Sequence, residues 1–179
     1  MTYAFYTFLA LVLIVFQTAI LPRLVNLGGF FDLPVTLVIY LGLFRPVRES
    51  IVFIVAFGIV IDSLSASPFL LYVTTYFWVY VAVRWLNGVL QIGMRFRFPV
   101  IVTLGVLVEN AVIFLAVGTH STELQSLSTL AMQIIVQLIW ALFLGSLFVI
   151  LFAFLYERWE QLVGEYIVRR SDMNDRNSI

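Results

Sequence analysis

The sequence predicts an all-α integral membrane protein with six transmembrane helices. Three observations carry that expectation. Hydrophobic residues make up 63% of the 179-residue chain and charged residues 11%, with a mean hydropathy of +1.07. A soluble domain of this size needs far more polar surface. Several apolar runs reach or approach the ~20 residues that cross a bilayer. The arginines divide unevenly between the two sides those runs define.

The first span covers residues 4–21. No basic stretch precedes it and no small-residue cleavage site follows, so it reads as a retained helix rather than a signal peptide. The second, residues 30–44, is short. The third, residues 51–64, reaches ~21 Å at 1.5 Å per residue. It needs extension through the 45–50 loop, or a locally thinned bilayer, to cross ~30 Å of hydrocarbon. Spans two and three forming a re-entrant hairpin is the alternative. The fourth span covers residues 69–90 and the fifth residues 98–118. The sixth, residues 127–156, is ~45 Å long and must tilt or protrude.

With the N-terminus inside, Arg45, Arg48, Arg84, Arg95, Arg97, Arg158, Arg169, Arg170 and Arg176 fall on the inner side and Arg23 alone on the outer. That is a strong positive-inside bias. It places both termini in the cytoplasm. Residues 1–156 form the transmembrane domain. After Tyr156, apolar residues recur at helical spacing, so residues 157–179 read as an amphipathic cytoplasmic tail. Its last residues, 171–179, read as disordered.

Composition excludes several chemistries. There is no cysteine, so disulfides, thiolate metal sites and cysteine nucleophiles are out. No lysine occurs, which removes Schiff-base chemistry. The single histidine, His120, leaves little room for a metal site. No nucleophile–base constellation, phosphate loop or dinucleotide motif is present, and a net charge of zero offers no basic patch for nucleic acid. The chain reads as a non-enzyme without cofactors.

Polar groups inside apolar spans are costly and mark candidate sites. Glu109 lies close to the middle of span five and is read as a packing element, with a proton relay or ligand contact as alternatives. Arg84, in span four, either snorkels to the inner surface or pairs with Glu109. Gln17, Gln133 and Gln137 are uncharged polar groups; the last two share a helix face with Ala141 and Gly145. Asp62 sits at the outer end of span three, one turn beyond Gly58. Ser67 is read as N-cap of the fourth helix with Pro68 at its first position. Asp62 then lies within reach of that helix's free N–H groups.

Four stretches resemble the MreD family of bacterial rod shape-determining membrane proteins. "FDLP" (31–34), with Asp32 and Pro34, opens span two as a Pro-Asp-Leu-like segment does in that family, with phenylalanine in place of the first proline. "YLGLFRP" (40–46), with Gly42, resembles its Tyr-Leu-Gly-Leu-Arg-like end. "GIVID" (58–62) matches a Gly-x-x-x-Asp pattern. "SLSASPFLLY" (63–72) resembles the run that follows, with Phe69 and Leu70 where a leucine and a glycine are common. The resemblance implies a non-enzymatic scaffold that binds MreC directly. MreB, RodA and a class B penicillin-binding protein join the wider complex that directs lateral peptidoglycan synthesis. The family's fold is similar to the six-helix substrate-binding subunit of energy-coupling factor vitamin transporters, which supplies the alternative function. Asp32, Pro34, Gly42, Gly58, Asp62, Pro68, Arg84 and Glu109 are the structural or partner-binding candidates. Membrane lipid is the remaining expected contact.

Overall fold

Six helices in chain order make up the computed structural model, which describes residues 2–20, 32–65, 70–90, 94–117 and 127–176. Helix α1 is Thr2–Val15, extended by a π-helical turn at Phe16–Ile20. Next come α2 (Leu33–Phe44), α3 (Val47–Ser65), α4 (Leu71–Val89) and α5 (Met94–Val117). Helix α6 runs Leu127–Trp140, passes through a second π turn at Ala141–Gly145, and continues as Ser146–Arg176. No strand occurs among the described residues.

The shortest helix is the centre of the fold. Every residue of α2 from Leu33 to Gly42 is buried, and α2 packs against each of the other five helices. Its sequence, LPVTLVIYLGLF, is apolar all round, which is the pattern of a helix with no solvent or lipid face. Thr36, its one hydroxyl besides Tyr40, donates to the Leu33 carbonyl at 2.6 Å and so is itself paired in the core.

Two residues, Arg45 and Pro46, turn the chain from α2 into α3. Ser50 stabilises this turn: its buried hydroxyl bonds the Pro46 carbonyl at 3.1 Å. Helix α3 therefore begins at Val47, within the 45–50 segment expected as loop, and its 19 residues span ~28 Å. Helix α4 packs tightly because small residues face it. A Cβ on Gly42 would lie 2.8 Å from Val83 Cγ1, and one on Gly58 would lie 2.8 Å from Val73 Cα.

Two helices, over residues 97–116 and 132–161, are long and apolar enough to cross a membrane; 5–19 and 33–44 are shorter apolar helices. The outward faces are apolar. Phe8, Val52, Trp78, Trp85, Leu115, Phe143 and Leu147 are all more than half exposed. The polar residues Thr36, Ser50, Thr75 and Glu109 are buried.

One expectation is corrected. The fourth helix starts at Leu71, with Leu70 ahead of it at φ 65° in the left-handed region, and not at Pro68. A left-handed residue breaks helical φ/ψ, so α4 cannot extend back through it. Ser67 and Pro68 lie outside the described residues. Among the described residues the tail is helical as far as Arg176.

Candidate functional site

A polar cavity of about 220 Å³ opens between α1, α2, α4, α5 and α6, lined by Gln17, Asp32, Tyr72, Glu109, Asn110, Ile113 and Gln137. Seven side chains thus come from five separate segments of the chain.

Asp32 organises one wall. It precedes α2, yet its carboxylate makes no capping bond to its own helix. Instead Oδ1 accepts from Gln17 Nε2 at 2.6 Å and Oδ2 accepts from the Tyr76 hydroxyl at 2.8 Å. Gln17 Oε1 accepts in turn from the Leu33 N–H at 3.0 Å. Gln17 therefore caps α2 from outside, satisfying one of the free N–H groups at its start. The π turn at Phe16–Ile20 holds Gln17; such turns re-aim one residue out of the regular helical register and recur at functional sites. Pro34 stands in the first turn of α2, where its missing N–H breaks no intrahelical bond.

Glu109 forms the facing wall. It is 4% exposed, and its Oε2 has no hydrogen-bond partner among the described residues. Gln137 Oε1, also buried, is likewise unpartnered there. Asn110 donates its amide to the Val106 carbonyl at 2.9 Å. Ile113, four residues beyond Glu109, shares its helix face and is the one apolar side chain in the lining.

Beside the cavity, α3 and α4 meet at a fixed corner. The Tyr72 N–H donates to Asp62 Oδ1 at 2.9 Å and the Val73 N–H points at Asp62 Oδ2 at 3.3 Å. Leu70 supplies no side-chain cap, so the carboxylate from α3 does that job at the positive end of α4's dipole. Gly58, one turn earlier, lets the α3 backbone meet Val73.

Arg84 and Glu109 do not pair. Arg84 Nη1 donates to the Arg45 carbonyl at 2.9 Å, with the Gly42 carbonyl at 3.4 Å. It neutralises the carbonyl end of α2, where a cation is favoured, while Glu109 turns into the cavity. Near the same end, the Arg45 guanidinium stacks 3.3 Å from the Tyr156 ring centroid. Tyr6 and Phe53 pack edge to face beside it, with ring centroids 5.7 Å apart.

Glu109, expected as a packing element with a proton relay or ligand contact as alternatives, lines the cavity. Of the two α6 glutamines, Gln137 lines the cavity and Gln133 is exposed. Ala141 and Gly145 are buried in the second π turn, which packs against α5. Ser63 spends its hydroxyl on the Ile59 carbonyl. His120 lies outside the described residues. Sequence reasoning missed Tyr72, Tyr76 and Ile113 as neighbours of Asp32 and Glu109; tyrosines and an isoleucine in apolar spans carry no spacing signal that could have found them. No protein family, curated protein or solved structure matched the chain in comparison.

Proposed function

We propose that this chain is a multi-pass protein of the bacterial cytoplasmic membrane, with both termini in the cytoplasm. In this reading it is a non-enzymatic scaffold of the cell-elongation complex, similar to MreD. Its direct partner is an MreC-like bitopic protein, and the actin-like MreB, the glycosyltransferase RodA and a class B penicillin-binding protein belong to the wider assembly. The membrane reading rests on a surface whose large side chains are apolar while polar groups turn inward. Contiguous apolar surface of that extent is unstable in water.

One observation supports the scaffold reading above others. The residues that carry the resemblance act as fasteners. Gly42 lets α2 meet α4, and Gly58 lets α3 meet α4. Asp62 caps α4 from α3. These contacts fix α2, α3 and α4 as one unit and leave the Val52–Val55–Ile59 face of α3 exposed. A rigid corner with a free apolar helix face suits recognition of a partner's transmembrane helix.

Photocrosslinking scanned along the exposed face of α3, with an MreC-like partner present, tests this. Crosslinks at Val52, Val55 and Ile59 are expected. Crosslinks confined to the inner loops would sink the reading, as would unchanged cell width on depletion. The cavity favours a second reading, the substrate-binding membrane subunit of an energy-coupling factor vitamin transporter. Such a subunit would co-purify with its transporter core and a bound small molecule.

A further inference from the structure

We propose that the cavity between Asp32 and Glu109 binds the primary ammonium group of a small ligand, with Glu109 and Gln137 as its principal acceptors. The inference holds for a scaffold or a transport subunit alike, because it rests on the chemistry of the cavity wall alone.

Size is the first constraint. The cavity measures about 220 Å³. It falls below the ~300–1,000 Å³ of sites that enclose drug-sized ligands. A single small polar group of a few heavy atoms fits.

Hydrogen-bond balance is the second. The two buried atoms on the wall without a partner among the described residues are Glu109 Oε2 and Gln137 Oε1, and both accept when Glu109 is ionised. Gln17 and Asn110 spend their amide donors on protein oxygens. A guest that brings donors satisfies these two atoms, and a buried acceptor left unmade costs more than a typical bond gains. Charge is the third. Two carboxylates and, among the described residues, no arginine line the cavity, so a phosphate or carboxylate would meet repulsion there. An ammonium brings three N–H donors and no acceptor, and its bonds to a carboxylate are charge-assisted.

Competing cations fit less well. Calcium and magnesium need six or more oxygens at about 2.0–2.6 Å, and among the described residues no three His, Cys, Asp or Glu side chains gather. A quaternary ammonium has no N–H to give and favours an aromatic cage; Tyr72 is the one aromatic residue in the lining. The same primary ammonium occurs in free small amines and in the headgroup of ethanolamine phospholipids, so two arms are needed to separate them.

The full chain, purified in detergent, is unfolded thermally with ethanolamine, choline or sodium chloride at equal ionic strength. Ethanolamine should raise the midpoint saturably, and choline and sodium chloride should not. In the second arm, native mass spectrometry follows release from nanodiscs holding phosphatidylethanolamine or phosphatidylglycerol. One retained phosphatidylethanolamine assigns a lipid headgroup; an ethanolamine response without lipid retention assigns a free amine. Glu109→Gln keeps the shape and removes the charge, and should weaken whichever response is seen at least tenfold. Ile113→Trp fills the cavity without removing any of its polar side chains, and should abolish it. If Glu109→Gln fails to fold, Ile113→Trp and the cation comparison on the parent chain carry the test. The proposal is overturned if neither arm responds, which is the outcome if Glu109 is protonated and satisfies Gln137 itself. It is overturned equally if choline or sodium chloride matches ethanolamine, or if Glu109→Gln binds as well as the parent.

Discussion

Replacing Gly58 by alanine puts a methyl carbon 2.8 Å from Val73 Cα, 2.9 Å from Val73 Cγ2 and 3.1 Å from Val73 N. Ordinary carbon contact begins near ~3.5 Å, so α3 and α4 must part by roughly 0.7 Å. Two of the three blocking atoms are backbone and cannot swing aside. Overpacking of this kind costs about 1–3 kcal/mol. The same movement stretches the 2.9 Å bond from Tyr72 N–H to Asp62 past useful length, worth about 1 kcal/mol more. Against this, alanine gains about 1 kcal/mol of helix propensity over glycine. The net expectation is a loss of about 2 kcal/mol, a fall in Tm of roughly 4–8 °C for a chain of this size. Gly88→Ala is the matched control: its new Cβ meets nothing within 4 Å, so propensity acts alone and stability should rise by up to about 1 kcal/mol. Both variants are unfolded thermally in the same detergent. A Gly58→Ala protein that melts with or above the parent, while Gly88→Ala is stabilised, would refute the claim that close backbone approach fixes this corner.

Asp62→Ala removes the cap from α4 and should cost about 1–2 kcal/mol, with Asp62→Asn intermediate because one acceptor oxygen survives; equal melting of parent and both variants would dismiss the capping role. Tyr76→Phe leaves Asp32 Oδ2 short of a donor 2.8 Å away and should cost about 1–3 kcal/mol. A double-mutant cycle with Asp32→Asn should show coupling above ~0.5 kcal/mol, and strict additivity would break that link. Arg45→Lys keeps the charge but loses the planar stack on Tyr156, so it should still cost about 1 kcal/mol. Trp159 packs on Phe5 close by, and its fluorescence follows the loss; an unchanged unfolding curve would show that charge alone matters there.

Much of the architecture was legible because it follows from local rules. Six apolar runs became six helices, since each buries its backbone polar groups within itself. The apolar, periodicity-free run at α2 carried the mark of a fully buried helix, although its 12 residues read simply as a short span. Asp62 and the start of α4 were close in sequence, so their meeting was foreseeable from chain length. The exact start of α4 was not, because the left-handed Leu70 follows from the turn geometry rather than from residue preference.

By itself the sequence determined an all-helical, apolar chain and the identity of its few intraspan polar residues, Gln17, Glu109, Gln137 and Asn110 among them. Composition and period are local quantities and survive without any tertiary contact. The tertiary structure decided which of those residues meet. Glu109 on α5 faces Gln137 on α6 and shares a cavity with Gln17 and Asp32, while Arg84, a plausible partner for Glu109 by proximity of spans, turns to the carbonyl end of α2. Which face of a helix turns inward depends on the rotation of each neighbour, and the two π turns shift that rotation by inserting a residue into the helical register. No pairwise spacing in the sequence records such a shift, so the cavity and its surplus of acceptors exist only at the level of the assembled bundle.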